Sequence, residues 1–374
     1  MSRRRLRPKA STNPYERRKK TLQSYFEGDS QSRFHLEDRH DQGGQASVYR
    51  VKYVTPGRGG SIPKLLVLKL ANPDSGSDIA GVRRERDVLR RLNGCKHIAR
   101  IREFAGDDPL NAADALGWAW IYLDALENGT LTDFMRRAKS AGIQSLPDRL
   151  LWRIFMCSMS WPQKTPNENE TTTGKLGQPS GITHNDVHGL NFMFGPYMDS
   201  PEHDITPILK LIDFGQSEVW FGNKRPDNSG VTAEQWNVED IGLMMATVIT
   251  LQTDTRYTGQ EIEVDLSMLP GHSRPTDVLS PASGILPDPD VDPRDPCPRV
   301  NRNLRVIVAA CIASDPAQRP TLAELETWVY GQVRRSSPGG GAGDAANNDQ
   351  SIRALVKACA IDGDAVGDVP MGGT

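Results

Sequence analysis

The stretch Gly181-Ile182-Thr183-His184-Asn185-Asp186-Val187-His188-Gly189-Leu190-Asn191 decides how this chain is read. It follows the pattern H-x-D, with an Asn five residues after the Asp. The spacing has a chemical reason. A carboxylate such as Asp186 accepts the proton of an attacking hydroxyl, and an amide such as Asn191 ligates Mg²⁺ without adding charge. A loop bounded by ordered elements holds both over one point. Downstream, Leu209-Lys210-Leu211-Ile212-Asp213-Phe214-Gly215 reads as an apolar strand that delivers an Asp, an aromatic residue and a Gly. Short strands are expected on either side of the loop region, at Phe192–Phe194 and Ile208–Ile212.

Two upstream features ask for anionic partners. Val67-Leu68-Lys69 sets a Lys in an apolar strand, a costly placement unless the ammonium is paired. Glu85 lies in the charged helical stretch Asp78–Leu92 that follows. Further upstream, Gln42-Gly43-Gly44-Gln45-Ala46-Ser47-Val48-Tyr49 reads as a hairpin whose glycines let backbone N–H groups approach phosphate.

In this order, the motifs resemble a protein kinase domain. So do Leu123-Asp124-Ala125-Leu126-Glu127-Asn128-Gly129-Thr130-Leu131 and Asp315-Pro316-Ala317-Gln318-Arg319-Pro320-Thr321. The resemblance covers residues 34–333 and implies an α+β, bilobal kinase-like fold. Residues 34–123 would form a small strand-rich lobe. Residues 124–335 would form a larger helical lobe, with a surface insertion at 162–180.

The resemblance further implies ATP and Mg²⁺ as cofactors. Gly43, Gly44, Gln45, Ala46 and Val48 would cover the phosphates. Lys69, fixed by Glu85, would position them. Leu123 would take the gatekeeper position, and the backbone of Asp124–Leu126 would meet adenine. Asn191 and Asp213 would hold the metal, and Asp186 would orient and deprotonate the acceptor hydroxyl. Arg319 would reach a buried carboxylate, with Glu234 and Glu239 as candidates. Asn237 would brace the backbone of the catalytic loop. The implied activity is transfer of the γ-phosphate to a Ser or Thr hydroxyl of a protein substrate.

The departures carry their own expectations. Asn185 stands where many protein kinases have an Arg that receives an activation-loop phosphate, so activation by that route is not expected. His188 replaces the usual Lys that contacts the γ-phosphate. No A-P-E lies between Gly215 and Trp236. The string H-N-D-x-H-x-x-N also resembles small-molecule phosphotransferases such as the aminoglycoside and choline kinases. A third reading is a pseudokinase that serves as a binding scaffold.

Composition narrows the rest. The 374 residues carry 45 Lys+Arg against 47 Asp+Glu, for a formal net charge of −2. That balance gives no general reason to expect nucleic acid as a partner, and no DNA-binding domain is evident. The longest apolar stretches, such as Ile241–Leu251 and Val306–Ala313, fall short of the about 20 residues a membrane-spanning helix needs. The five cysteines are widely spaced and form no C-x-x-C pair, so neither a zinc site nor a disulfide framework is expected. Residues 1–33 read as a disordered basic arm. Its clusters, Arg3–Lys9 and Arg17–Lys20, resemble a bipartite nuclear import signal, which gives a cytoplasmic or nuclear location. Residues 336–374 read as a flexible Gly-rich tail, with room for a short helix at Ser351–Ala360.

Overall fold

The computed structural model describes residues 14–42, 46–56, 63–105, 107, 116, 118–160, 181–200, 202–220, 230–253, 257–269, 277–288, 291–335 and 347–362. The 162–180 insertion and Gly43–Gln45 lie outside the described residues. The fold is α+β. It divides into two compact units, one of residues up to Arg83 with Ile101–Ala125, the other of Arg84–Arg100 with Leu126 onward.

In the first unit, a helix α1 (Pro14–Glu27) precedes a five-stranded antiparallel sheet. The strands are β1 (Phe34–Gln42), β2 (Ala46–Tyr53), β3 (Lys64–Ala71), β4 (Ile101–Arg102) and β5 (Trp120–Asp124), in the order β1-β2-β3-β5-β4. Strand β3 alternates as a half-buried strand should. Leu66, Leu68 and Leu70 are fully buried, while Leu65, Val67 and Lys69 on the other face are partly exposed. The buried face joins Phe34, Tyr49, Val51, Trp120 and Tyr122 in one core, and Leu22 and Phe26 of α1 belong to it. Phe34 stacks on Tyr122 with ring centroids 5.2 Å apart.

Residues 14–33 are therefore not a disordered arm. Leu22, Tyr25 and Phe26 recur at helical spacing, and that one apolar stripe is enough to dock α1. Arg17 and Lys20 stay exposed. After the helix, Arg33 closes the turn, donating from Nε to Asp29 Oδ2 at 3.0 Å and from Nη1 to the Ala105 carbonyl at 2.8 Å. Asp107, buried, accepts hydrogen bonds from the Tyr25 and Tyr122 hydroxyls. Of the two basic clusters, Arg3–Lys9 lies outside the described residues and Arg17–Lys20 stands on α1.

Helix α2 (Gly76–Arg91) spans the division between the units. Of residues 98–104, only Ile101 and Arg102 join the sheet as strand. The segment before them belongs to the second unit because its backbone pairs there. Ala99 N donates to the Leu211 carbonyl at 3.0 Å, and Leu211 N to the His97 carbonyl at 2.8 Å.

Among the described residues between Leu131 and Arg335, the second unit carries five α-helices. They are α3 (Leu131–Ser140), α4 (Asp148–Met159), α5 (Ala233–Thr250), α6 (Arg302–Cys311) and α7 (Leu322–Arg335). Capping boxes start two of them, Thr130 with Asp133 for α3 and Thr232 with Gln235 for α5. On α4, Leu150, Leu151, Ile154, Phe155 and Met156 are all buried. Gly242 lets α5 and α6 close on each other, since a Cβ there would lie 2.7 Å from the Cβ of Cys311. Among the described residues, no helix is long and apolar enough to cross a membrane.

The stretch 253–299 is not all loop, and the reading of residues 336–374 as a flexible tail needs correction. The Pro- and Asp-rich stretch 253–299 contains an antiparallel hairpin, the pair Ile262–Asp265 and Asp277–Ser280, with Ile262 and Val264 buried and Glu263 and Asp265 exposed. Part of the supposed flexible tail is docked. Helix α8 (Asp349–Val356) buries Ile352 and Val356 completely, and Arg149 Nη1 meets Asp349 Oδ1 at 2.6 Å. One π-helical turn follows, Lys357–Ile361, and Arg137 donates to its Cys359 carbonyl at 3.0 Å.

Candidate functional site

The 181–191 stretch sits between two small antiparallel pairs in the second unit. Gly181–Thr183 pairs with Glu218–Trp220, and Phe192–Phe194 pairs with Leu209–Leu211. The loop carrying His184–His188 and the turn carrying Asp213 are thus the facing connections of one framework. Ile212 N donates to the Asn191 carbonyl at 2.8 Å and locks them together.

His184 is the buried pin of this framework. It is fully buried, and its Nε2 meets the Ile212 carbonyl at 3.0 Å. A carbonyl only accepts, so Nε2 carries the proton. The ring stands edge-on to Phe214 at 4.7 Å between centroids. Burial pushes its pKa down to about 4. Behind it, Asn237 on α5 donates to the Ile182 carbonyl at 2.8 Å and accepts from His184 N at 3.4 Å. Asn237 therefore braces the loop backbone as the sequence predicts.

Asp186, His188 and Asn191 are in direct contact. Asn191 Nδ2 donates to Asp186 Oδ2 at 3.0 Å and to the Asp186 carbonyl at 2.9 Å. His188 Nε2 lies 3.2 Å from Asp186 Oδ1. The hydrogen bond from His188 outweighs burial and holds the Asp186 carboxyl below the usual range. The Asn191 amino group is thus turned to Asp186. Gly189 lets this loop press on α3, since a Cβ there would lie 2.6 Å from Thr132 Oγ1.

Asp213 adopts the left-handed conformation, φ 61°, and its Oδ1 accepts from Gly215 N at 3.3 Å. Asn185 is also left-handed, φ 64°, and donates from Nδ2 to the Gln216 carbonyl at 3.1 Å. Non-glycine residues in this region store strain, and such outliers concentrate at functional sites. The oxygen donors of Asn191 and Asp213 are the chemistry that a hard divalent cation such as Mg²⁺ takes.

Glu85 is fully buried on α2, while its neighbours Arg83, Arg84 and Asp87 are exposed. Burial singles it out from a merely charged helix face. Sequence reasoning missed Arg84, whose Nη1 donates to the Gly215 carbonyl at 2.8 Å. Its only signal was its place beside Glu85.

Of the remaining predicted residues, Ala46, Val48, Lys69, Leu123 and Asp124 lie on strands of the first unit, and Leu126 falls in the second. Lys69 pairs in register with Val48 on one side and Ile121 on the other, and Leu123 pairs with Val67. Ala46 opens β2 and is buried. Asp124 ends β5. Burial pushes its carboxyl up, but hydrogen bonds from Arg102 and Lys64 outweigh that and hold it below the usual range. The chain passes from the first unit to the second between Ala125 and Leu126, within the segment expected to meet adenine. Gly43, Gly44 and Gln45 lie outside the described residues.

Arg319 finds the partner that the sequence left open between two candidates. Its Nη1 meets Glu239 Oε2 at 2.7 Å, while Glu234 accepts from Leu322 N. Neither the models of known protein families nor the curated proteins yield a match to this chain.

Proposed function

We propose that the chain is a divergent protein-kinase-like phosphotransferase that uses ATP and Mg²⁺ to phosphorylate a Ser or Thr hydroxyl of a protein. The observation that carries this reading is the contact set of Asp186, His188 and Asn191, tied through Ile212 to Asp213. A carboxylate of lowered pKa, an amide oxygen and a second carboxylate then stand on adjoining loops. Mg²⁺·ATP, when bound, supplies the phosphoryl group and neutralises its developing charge.

The residues divide the work. Asp186 would orient the acceptor hydroxyl and take its proton on a carboxylate oxygen as the new oxygen–phosphorus bond forms and the γ-phosphorus–oxygen bond to the departing ADP breaks. Asn191 holds Asp186 in place through its amino group and offers Oδ1 to the metal, with Asp213 as the second ligand. His188 keeps Asp186 ionised and, when protonated, adds positive charge beside the transferred group. Lys69 and Glu85 are assigned to the nucleotide phosphates, and Leu123, Asp124 and Leu126 to adenine. Catalysis of this kind is mainly positioning and electrostatics.

A second reading, transfer to a small-molecule hydroxyl, is favoured by His188, which stands on Asp186 where a Lys is usual in protein kinases. Radiolabelled ATP offered with a degenerate Ser/Thr peptide library and, separately, with a panel of amino-alcohols and aminoglycosides distinguishes the two. Label in peptides that Asp186→Asn abolishes supports the first reading, and label only in the small molecules supports the second. Nucleotide binding without transfer to either leaves a scaffold.

A further inference from the structure

A second cluster of chemistry lies in the same unit. His97 precedes β4, Cys157 sits on α4, and His203 lies between the strands Phe192–Phe194 and Leu209–Leu211. All three are buried, and one donor atom from each falls within 4.8 Å of the others. The two imidazole rings are 5.2 Å apart between centroids.

His203 points to a ligand. It is only 2% exposed, yet neither of its ring nitrogens has a hydrogen-bond partner. A buried imidazole with both nitrogens unsatisfied is unfavourable, and buried polar groups in native proteins are nearly always partnered. His97 is set up differently. Its Nδ1 meets the Leu209 carbonyl at 3.1 Å, which fixes the proton there and leaves Nε2 with its lone pair. That is the outer hydrogen bond a metal-ligating His ordinarily makes. The backbone of Leu209 also hydrogen-bonds Cys157.

We propose that His97, Cys157 and His203 bind a zinc-class ion that ties three distant segments of the second unit together. Two imidazoles and a thiolate are a borderline-soft donor set that suits Zn²⁺ rather than Mg²⁺ or Ca²⁺. Zn–N bonds of about 2.0–2.1 Å and Zn–S of about 2.3 Å require each donor to move inward by less than about 1 Å. Three protein ligands leave the fourth tetrahedral position open. On binding, the Cys157 S–H bond breaks, its proton leaves to solvent, and a sulfur–metal bond forms.

Electrostatics explains why the thiol is needed. Lys96 and Lys210 act on His97, and Lys96 and Arg153 act on His203, with Asp204 opposing them. Neutral imidazoles alone would leave a divalent ion facing that positive charge, and the thiolate offsets it.

The test uses the full chain, without a polyhistidine tag, expressed in medium where Co²⁺ replaces Zn²⁺ so that the ion enters during folding. The purified protein is expected to carry about one ion per chain, counting zinc and cobalt. It is expected to show a thiolate-to-cobalt charge-transfer band with ligand-field bands of four-coordinate cobalt. Cys157→Ser should lose the charge-transfer band. His203→Gln should weaken retention against a chelator by more than the ~10- to 100-fold that loss of an outer-shell partner costs. A folded wild-type chain with far less than one ion and no thiolate band overturns the proposal, whatever the variants do. So does a thiolate band that survives Cys157→Ser.

Discussion

Asn191 Nδ2 donates both to the carboxylate of Asp186, at 3.0 Å, and to its backbone carbonyl, at 2.9 Å. One amide thus fixes both the position and the side-chain orientation of the proposed base. The five-residue spacing between them exists to allow this, because the intervening 3-10 turn Gly189–Asn191 folds the amide back.

Asp186→Asn should lower the transfer rate by about 10²- to 10⁴-fold, the range ascribed to a general base, with ATP binding retained. Single-turnover kinetics alongside nucleotide titration measures both. Loss of binding together with rate would assign Asp186 to the nucleotide site instead.

In the proposed activity, His188 should set the acid limb of the pH profile. The folded pKa of Asp186 is held below the ordinary value chiefly by the His188 hydrogen bond. Its stabilising contribution is present above the ordinary carboxylate range and is lost as pH falls through the depressed value. In His188→Ala the carboxyl returns toward the usual range, so the acid limb of kcat/KM should move to higher pH. An unmoved limb would show that the pair does not control the base.

His184 makes stability fall on acidification. Its pKa is about 4 when folded, against 6.5 for the free side chain. The unfolded chain therefore binds a proton between those values that the folded chain does not, and stability drops as pH falls from 6.5 toward 4. The slope from one such histidine is at most about 1.4 kcal/mol per pH unit. Urea midpoints measured across this window should flatten by that contribution in His184→Leu.

Leu22→Ala in α1 should destabilise the first unit by about 2–5 kcal/mol, the cost of emptying a fully buried leucine site. Urea unfolding followed by tryptophan fluorescence reports it through Trp120 in the same core. No change would return residues 14–33 to the status of an unstructured arm.

How much of this was legible follows from range along the chain. The loop residues Asp186, His188 and Asn191 lie within six positions, so their grouping could be read directly. The bracing role of Asn237 was legible only through the kinase resemblance, and the choice of Glu239 rather than Glu234 by Arg319 depended on tertiary packing that no local pattern encodes. Helix α1 was hidden because its docking stripe is three residues, Leu22, Tyr25 and Phe26, in an otherwise charged segment. The strands at Gly181–Thr183 and Glu218–Trp220 are three residues each, too short for alternation to register. The cluster of His97, Cys157 and His203 has no spacing motif, since its members meet only through the tertiary fold.

The central claim, a Mg²⁺·ATP site that includes Asp213, is tested most directly by thermal unfolding with and without Mg²⁺·ATP, for the wild type and Asp213→Asn. At about a hundred times its dissociation constant, a ligand stabilises the folded state by ~2.7 kcal/mol. The account predicts a rise in Tm that requires Mg²⁺ in the wild type and is absent in a folded Asp213→Asn chain. A well-folded wild type whose Tm does not move at millimolar Mg²⁺·ATP would contradict it.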